Sequence, residues 1–396
     1  MPWRETGPMG ERTKFVLLYE HEGWSVSDLC ERFEVSRKTG YKWLERYGRG
    51  GMAGLAELSR APHRHPNAVA PEIEAAIVQL KQQRMKRGPK KLSCLLQQQH
   101  PEVRWPAPST IGAILKRHEL VRSRRRCRKS SPYEQPFVGV NCPNAAWSAD
   151  LKGWFLTGDQ QRCDPLTFTD NYSRFLIRCR AVRPASFEAI QPVFAGAFYE
   201  YGLPEAIRTD NGAPFATTTV GGLSRLAIWW IKLGILPERI RPGKPQQNGR
   251  HERMHRTLKD EAISPPQPTW QKQQAAFDRF RQEYNHERPH ESLGQRCPAN
   301  LYVASPRSYP AVLPEVPYPD HMQIRRVKAQ GDISWKNHHV YLTDLLAGEP
   351  IGLRQITDDL WDIYFGPIRL AQLDTYKQKL IHLARKKRTR LYQRRT

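Results

Sequence analysis

The segment Ala145-Ala-Trp-Ser-Ala-Asp-Leu151 decides the predicted fold, because an apolar run of this length indicates a buried strand, here ending near a carboxylate. A second short run, Ala206-Ile-Arg-Thr209, predicts another strand, and Asp210 follows it directly with a turn-forming Asn-Gly pair. A third acid, Glu252, lies in the first turn of a predicted helix. Strand ends and a helix could therefore bring Asp150, Asp210 and Glu252 to one place.

The three carboxylates are hard oxygen ligands, and without thiolates they suit Mg²⁺ or Mn²⁺. A pair of such ions can drive phosphoryl transfer. Each acid also has an ordinary explanation: Asp210 as a turn former, Glu252 as a favourable helix-dipole residue, and Asp150 as a solvated strand end. The order of the three favours the catalytic interpretation, since a Pro- and Gly-rich loop over residues 241–249 leads straight into the last helix.

The helix predicted around Glu252 has a polar face. Glu252, Arg256 and Lys259 recur at helical spacing and share one face, whereas Met254 and Leu258 point elsewhere. One side of this helix therefore carries a carboxylate followed by two cations.

Five segments resemble those of the DDE integrase-core transposases, in particular the insertion sequence 481 family. Three hold the acids: Asp150, Asp210 with its Asn-Gly, and Lys244-Pro-Gln-Gln-Asn-Gly-Arg-His-Glu-Arg-Met-His-Arg-Thr-Leu-Lys259. Thr169-Asp-Asn-Tyr-Ser-Arg-Phe175 resembles the family's hairpin between its second and third strands. Tyr284-Asn-His-Glu-Arg-Pro-His-Glu-Ser-Leu293 resembles the segment just beyond the catalytic helix.

The resemblance, which extends from the N-terminal helices to at least Tyr302, implies a DNA transposase. Such an enzyme binds the terminal inverted repeats of an insertion sequence, cleaves the ends to expose 3′-hydroxyls and joins these to target DNA. It would act on double-stranded DNA as a homo-oligomer, a dimer or higher, with two Mg²⁺ (or Mn²⁺) ions held by the acidic triad. Four residues are then expected to contact DNA: Gln246, Asn248, Arg256 and Lys259.

Two features depart from retroviral integrases. Asp210 and Glu252 are 42 positions apart (252 − 210), which implies an insertion before the last helix, and residues 213–236 are predicted to supply a helix there. The seven cysteines show no C-x-x-C pair and no His/Cys ligand spacing, so neither a zinc domain nor a disulfide framework is expected.

Two other functions share part of this pattern. A catalytically inactive DNA-binding regulator derived from a transposase would keep the helical domains but should damage the acidic triad, which is whole here. A ribonuclease-H-like nuclease would keep the triad but needs no paired helix-turn-helix units.

The composition indicates the class of partner. With 63 Lys and Arg against 39 Asp and Glu, the net charge of +24 favours a polyanion, and nucleic acid above others. No apolar run reaches the roughly 18 residues that a membrane span requires, and the first ten residues lack the apolar region of a secretory signal. We therefore expect no membrane partner and a bacterial, cytoplasmic, nucleoid-associated location.

Near the N-terminus, the pattern predicts a helix-turn-helix. A short amphipathic helix over residues 27–33 is followed by a turn with Ser36 as N-cap and a second helix over residues 37–47. A plain helical hairpin would show the same pattern. In the motif, the start of the second helix faces base edges, which predicts these DNA contacts: Arg37, Lys38 and Lys42.

A second helical domain follows, with helices predicted over residues 71–85, 90–99 and 109–118. It resembles the family's second helix-turn-helix, although any three-helix unit would fit. Residues 116–129 then pack eight cations around one acid. A charge run is usually only solvated, but between DNA-binding units and a core it is better explained as a segment along phosphates, with these contacts: Arg124, Arg125 and Arg126.

Two further patterns complete the predicted fold. Three strands, a helix over residues 186–201 and a fourth strand indicate a mixed α/β layer, which matches a ribonuclease-H-like core. Beyond the proline-rich residues 303–320, six short alternating strands predict a small β-barrel. It resembles the family's C-terminal domains, which bind DNA or the partner subunit, although a barrel of this size could equally be an interaction module. Residues 376–396 contain nine cations and no acids, and we expect them to be disordered until they meet DNA.

The predicted chain is thus multidomain, with N-terminal all-α helix-turn-helix domains, an α/β ribonuclease-H-like core with a mixed sheet, and a C-terminal small β-barrel. The boundaries are as follows: helix-turn-helix 11–50, basic linker 51–70, second helix-turn-helix 71–120, basic linker 121–143, catalytic core 144–302, Pro-rich linker 303–320, small β-barrel 321–375 and basic tail 376–396.

Overall fold

The computed structural model describes residues 7–58, 68–121, 139–217, 219–240, 248–335 and 338–382. The chain forms two compact units, residues 1–69 and residues 70–396. Some predicted DNA contacts lie outside the described residues: Arg124, Arg125, Arg126 and Gln246.

The first unit is helical, as expected. Its elements are α1 (Pro8–Glu22), α2 (Val26–Arg32), α3 (Arg37–Gly50) and a 3₁₀ turn at Gly51–Leu55. The sequence analysis did not predict α1, which supplies Phe15 to a small core with Leu29 and Cys30. Ser36 caps α3 as predicted, because its hydroxyl accepts a hydrogen bond from the Thr39 amide at 3.2 Å.

Two unusual residues of this motif have a structural reason. Gly40 lies where α3 crosses α2, and a Cβ at this position would stand 2.6 Å from Cys30 Sγ, so only glycine permits the close approach. Glu34 adopts a φ of 51° in the turn between the helices, the left-handed region in which glycine is more common. The α2–turn–α3 geometry therefore requires glycine at one position and a less favourable backbone conformation of Glu34 at another.

The second unit begins with three helices, α4 (Pro71–Gln83), α5 (Pro89–Gln99) and α6 (Pro108–Arg117). Cations around the α4–α5 turn hold these helices to the rest of the unit. Arg84 Nη1 donates to Glu283 Oε2 at 2.7 Å. Arg87 is 3% exposed and donates to the Glu287 carbonyl at 3.1 Å.

A six-stranded mixed sheet forms the centre of the second unit. Its strands are β1 (Ala146–Leu151), β2 (Phe155–Leu156), β3 (Arg162–Asp170), β4 (Leu176–Val182), β5 (Ala206–Thr209) and β6 (Leu236–Arg239). The strands β4, β3, β1, β5 and β6 lie side by side, and β2 pairs with the beginning of β3. The β3 strand runs antiparallel to both β1 and β4, whereas β1, β5 and β6 are mutually parallel. The expected mixed α/β layer is confirmed, although the sequence analysis missed β2 and β6.

Helices cover both faces of this sheet. They are α7 (Phe187–Tyr201), α8 (Arg225–Lys232), α9 (Gly249–Leu258) and α10 (Trp270–His286), with a π turn at Lys259–Ile263 after α9. Phe194 of α7 and Trp230 of α8 pack against Phe168 of β3 in one core cluster. Met254 of α9 and Phe277 of α10 belong to a second cluster with strand residues from β3 and β4.

The expected insertion helix is α8, and it belongs to two cores at once. Its Leu226 and Trp230 lie in the core of the mixed sheet. Its Ile228 and Ile231 lie in a separate cluster with the C-terminal strands. Burial on two sides makes this short helix the structural link between the mixed sheet and the C-terminal sheet.

The C-terminal strands do not close into the predicted barrel. They are β7 (Gln323–Arg326), β8 (Asp332–Trp335), β9 (His338–Tyr341), β10 (Pro350–Thr357), β11 (Leu360–Phe365), β12 (Ile368–Asp374) and β13 (Lys379–His382). Among the described strands, the hydrogen bonds give an open sheet in the order β13-β12-β11-β10-β7 and a separate β8–β9 hairpin. Closure is not needed, because α8 and the hairpin cover the apolar face of the sheet.

One other C-terminal prediction needs correction. The strand β13 pairs with β12 inside the segment expected to be disordered, so the basic tail is ordered as far as His382. The proline-rich segment, predicted as a linker, makes hydrogen bonds to the core. The Ser305 amide donates to the Tyr201 carbonyl at 2.8 Å, and Arg307 Nη1 donates to the Pro204 carbonyl at 2.9 Å, so this segment packs along the core.

Candidate active site

Two of the three predicted acids stand at neighbouring strand ends. The parallel register pairs Ala146 of β1 with Ala206 of β5, and Asp150 and Asp210 each come four residues later (150 − 146 = 210 − 206). They therefore lie level with each other at the carboxyl edge of the sheet. Asp210 also accepts a hydrogen bond from the Gly212 amide at 3.1 Å through Oδ1, which fixes the turn after β5.

Asp150 has the most unusual environment of the three. Its side chain is 17% exposed, and Asn248 Nδ2 donates to its Oδ2 at 3.0 Å. Burial, followed by the negative charges of Asp210 and Glu252, raises the pKa of Asp150 to about 7. The charges of Asp210 and Glu252 are thus close enough to disfavour the ionised form of Asp150. A divalent cation would relieve this repulsion, so the acids fit a site for a hard metal ion.

Glu252 lies on the exposed side of α9, in its first turn. In the described part of the chain, the group of acids, histidines and cysteines whose ligand atoms all lie within 4.8 Å of one another is a different set, Asp150, His251 and His255. The three predicted carboxylates do not form such a close group in this structure. Bringing Glu252 onto Asp150 and Asp210 would therefore require an adjustment of its side chain or of α9.

The two histidines belong to a buried hydrogen-bond network between α9 and β3. Thr167 Oγ1 lies 2.8 Å from His251 Nε2, 2.7 Å from His255 Nε2 and 3.2 Å from the Asp150 carbonyl. Thr169 Oγ1 lies 2.7 Å from His251 Nδ1. Both ring nitrogens of His251 are therefore engaged, which fits a structural clamp better than a metal ligand.

Burial keeps this clamp uncharged. It lowers the pKa of His251 to about 3 and that of His255 to about 2, so both imidazoles are neutral at physiological pH. The sequence analysis missed the clamp. Its signal is the spacing itself, since the histidines recur at i and i+4 on a helix and the threonines at i and i+2 on a strand.

The exposed and buried faces of α9 agree with the prediction. Arg256 and Lys259 are exposed on the same side as Glu252, whereas Met254 and Leu258 are 2% and 0% exposed. Asn248, which was expected to contact DNA, is 7% exposed and donates to Asp150. In the first unit, the predicted contacts are exposed at the beginning of α3: Arg37, Lys38 and Lys42.

The segment at residues 169–175 forms the turn between β3 and β4. Buried Asp170 accepts hydrogen bonds from the Asn144 amide at 2.9 Å and from the Ser173 amide at 2.7 Å. Arg174 in the turn and Arg250 at the start of α9 both donate to the Asn171 carbonyl, at 2.6 and 2.9 Å. This turn therefore anchors the beginning of α9 beside β1 and β3.

None of the helices in the described ranges combines the length and apolar character that a membrane span needs.

Four family models match different parts of the chain. Two models described as integrase core domains match residues 140–245 and 233–298. A helix-turn-helix domain matches residues 11–63, and a homeodomain-like domain matches residues 39–115.

Two similar proteins come from insertion elements. The uncharacterized 39.2 kDa protein of IS476 from Xanthomonas euvesicatoria is 29% identical over 253 residues, which cover 62% of this chain and 70% of that protein. The uncharacterized 31.7 kDa protein of IS407 from Burkholderia multivorans is 26% identical over 240 residues, which cover 60% of this chain and 82% of that protein.

Solved structures with similarity include two viral proteins. The HTLV-2 integrase catalytic core domain in complex with magnesium matches at 16% identity and a TM-score of 0.33, over 41% of this chain and 99% of that chain. The simian T-cell lymphotropic virus intasome in complex with PP2A regulatory subunit B56 gamma matches at 14% identity and a TM-score of 0.37, over 78% and 100% of the two chains.

The family models and the insertion-element relatives indicate the same kind of protein. Membership of the insertion sequence 481 family stays a prediction. The chain contains an integrase core domain on the mixed sheet and helix-turn-helix domains on the N-terminal helices and is similar to two insertion-element proteins, findings that together support a transposase of an insertion sequence.

Proposed function

We propose that this protein binds the ends of its insertion sequence, cleaves them to expose 3′-hydroxyls and joins these to target DNA. The observation that carries the proposal is the environment of Asp150. This carboxyl is largely buried at a strand end, level with Asp210, and burial followed by the charges of Asp210 and Glu252 raises its pKa. Such an arrangement is unfavourable for the protein alone and becomes favourable when cations bind.

The acids are proposed to hold two Mg²⁺ (or Mn²⁺) ions, one between Asp150 and Asp210 and the other between Asp150 and Glu252. When bound, a pair of this kind supplies Lewis-acid chemistry to the attacking hydroxyl and to the leaving 3′ oxygen of a phosphodiester. The same acids would serve cleavage and joining in turn, because both reactions attack a phosphodiester and need no covalent intermediate with the enzyme.

The chain's own residues position these acids. Asn248 holds Oδ2 of Asp150 at 3.0 Å, which orients the carboxylate. Thr167 ties β3 to α9 through both histidines, so the height of the Glu252 helix over the sheet is set by buried hydrogen bonds. Two exposed cations, Arg256 and Lys259, are proposed to contact phosphates along α9.

Other residues are proposed to select and hold the DNA. The double-stranded ends would be recognised by the beginning of α3, where base readout is expected, while phosphate contacts carry no sequence information. A homo-oligomer, a dimer or higher, would bring two ends together. The proposed contacts are these: Arg37, Lys38, Lys42, Arg124, Arg125, Arg126 and Gln246.

The test is cleavage of labelled duplexes that contain the DNA flanking the gene, in Mg²⁺. Wild-type protein should nick at the element ends and join them to plasmid DNA, and Asp210→Asn should abolish both while still binding the duplex. Asp260→Asn, an exposed acid beyond α9, is the control and should cleave normally. Cleavage by Asp210→Asn at nearly the wild-type rate would contradict the proposal.

The two alternatives give different results in the same assay. An inactive regulator would bind the ends without any cleavage by the wild-type protein. A nuclease would cleave without preference for the ends and without joining.

A further inference from the structure

An exposed aromatic side chain stands just beyond the strand that ends near the acids. Among the tryptophans that the structure describes, Trp154 is the most exposed, at 59%. It lies directly before β2, after a turn in which Gly153 adopts a φ of 90°. A single exposed apolar residue is ordinary, so its surroundings decide whether it belongs to a binding surface.

A cation holds the indole of Trp154 in place. The guanidinium carbon of Arg162 lies 5.3 Å from the centroid of the ring, within the range of a cation–π interaction. Arg162 is itself fixed, because its Nε and Nη2 donate to the two carboxylate oxygens of Asp164 at 2.8 and 2.9 Å. The Asp164 side chain is only 6% exposed. The ring is therefore supported by a rigid ion pair while most of its surface stays accessible.

The hairpin that carries Trp154 is anchored on the core. Phe155, the next residue, packs against the core cluster that α9 and α10 share with the sheet. At the tip of the hairpin, the Gly158 amide donates to the Gln267 carbonyl at 2.9 Å. A Cβ on Gly158 would stand 2.9 Å from Pro268, so the tip lies directly against the segment before α10. The exposed indole thus has little freedom to lose, which favours the binding of a ligand to it.

The register of the sheet places this hairpin near the acids. Asp150 of β1 pairs with Thr167 of β3, and Phe155 of β2 pairs with Cys163 of the same strand. The two positions on β3 are four residues apart (167 − 163), or roughly 13 Å at the rise of a strand. This length equals about four nucleotides at the rise of about 3.4 Å along one strand of B-DNA. A DNA strand with a phosphodiester at the acids can therefore extend to Trp154.

Trp154 shares its side of the hairpin with a second apolar residue. Leu156 follows two positions later, faces the same side of the strand and is 42% exposed. It pairs directly with Arg162, whose side chain is 52% exposed, so two apolar surfaces flank a cation. A nucleobase has a π-face that stacks on an aromatic ring, and a guanidinium adds to such stacking. Bases inside a duplex already stack on their neighbours, so the base that fits here is an unpaired one.

We infer that Trp154, supported by Arg162 and flanked by Leu156, is a stacking platform for one unpaired base near the cleaved end of the element. The inference rests on the proposed function, because it takes the DNA at the acids as the ligand. It adds a contact to a base close to the reacting phosphodiester, whereas the other contacts proposed near the acids are to phosphates.

The test compares two fluorescein-labelled duplexes of the DNA flanking the gene in equilibrium binding to the full-length protein. One duplex is fully paired, and the other has about four mismatched positions around the element's terminus. Trp154→Ala should weaken binding of the mismatched duplex by about five- to a hundredfold and affect the paired duplex much less. Trp154→Phe, which keeps a ring, should retain most of the affinity.

The control is Tyr199→Ala, which removes a 71% exposed aromatic side chain from α7 and should leave binding of both duplexes unchanged. Equal affinities of wild-type protein and Trp154→Ala for the mismatched duplex would overturn the platform. Equal losses for Trp154→Ala and Tyr199→Ala would do so as well.

An abasic scan tests whether Trp154 contacts a base. At one position of the mismatched duplex, removal of the base should weaken binding of the wild-type protein and have no further effect on Trp154→Ala. The slope of log affinity against log salt should stay the same in Trp154→Ala, because stacking neutralises no phosphate. If no abasic position depended on Trp154, or if the slope fell, the base contact would be wrong.

Two further results separate the inference from its alternatives. If Trp154→Ala dissociates an oligomer of the DNA-free protein in sedimentation and shows no abasic coupling, Trp154 lies between copies of the chain and the inference is wrong. If wild-type protein binds neither duplex, the proposed function fails, and the inference with it. If Trp154→Ala binds both duplexes and cleaves the ends as the wild-type protein does, the inference alone fails.

Discussion

Replacing Asp150 with asparagine should stabilise the metal-free protein, although it removes a proposed catalytic group. Burial and then the charges of Asp210 and Glu252 raise the pKa of Asp150 from 3.8 to about 7. The folded state therefore holds this proton more tightly than the unfolded chain does. The resulting stability is fully present below the unfolded pKa of 3.8 and is lost as the pH rises through about 7.

The size of the effect follows from the shift. One pKa unit corresponds to about 1.4 kcal/mol, so the change from 3.8 to about 7 corresponds to about 4 kcal/mol. Asparagine keeps the shape of the side chain and can still accept the hydrogen bond from Asn248. We expect Asp150→Asn to raise the free energy of unfolding by roughly 2 to 4 kcal/mol at about pH 8, and the difference to shrink toward zero near pH 4.

The assay is chemical unfolding in the presence of a chelator at both pH values. Asp358→Asn, in an exposed turn between β10 and β11, removes the same charge and should behave as the wild-type protein. Added Mg²⁺ should then stabilise the wild-type protein more than Asp150→Asn, because a ligand stabilises only the state that binds it. If Asp150→Asn were no more stable than Asp358→Asn at about pH 8, the acids would not repel one another and the argument would fail.

Three further changes test other parts of the structure. Thr167→Val removes a hydrogen-bond partner from two buried imidazoles, so it should lower the free energy of unfolding by about 1 to 3 kcal/mol. It should also slow cleavage without weakening DNA binding. The control is Thr257→Val, because the Thr257 hydroxyl donates only to a carbonyl of its own helix. Ile231→Ala should lower the free energy of unfolding by about 2 to 4 kcal/mol and destabilise the mixed sheet and the C-terminal sheet together. The control is Ile356→Ala, at a 46% exposed site, which should have little effect. Separate transitions of the two sheets in thermal unfolding would contradict this prediction. Removing residues 1–50 should weaken binding to the element ends more than to random DNA in a titration, and equal losses would leave this unit as a source of charge only.

The strands that carry the acids could be predicted because the residues that precede each acid follow a simple pattern. The run before Asp150 is mostly apolar, and Ala206 and Ile207 begin the strand before Asp210, since both strands lie inside the sheet; the polar face of α9 repeats at the helical period. The relation between the strands came from the family resemblance. Spacing alone does not say which strands pair.

The rest depends on contacts between distant segments. The clamp joins Thr167 to histidines more than 80 positions away, and no local pattern of polarity identifies such partners. Alternating strands are the same in a closed barrel and in an open sheet, so closure could not be predicted from them. The charge of Arg87 does not identify its partner in the sequence either, and its acceptor is the Glu287 carbonyl.

The central claim is tested most directly at Glu252, the acid that the structure leaves exposed and outside the close group around Asp150. The measurement is Mg²⁺-dependent joining of a precleaved, labelled end to plasmid DNA by Glu252→Gln, with Asp260→Asn as control. We predict that Glu252→Gln binds the end with wild-type affinity and gives no joined product, whereas Asp260→Asn joins normally. Joining by Glu252→Gln at nearly the wild-type rate would contradict the assignment of the triad.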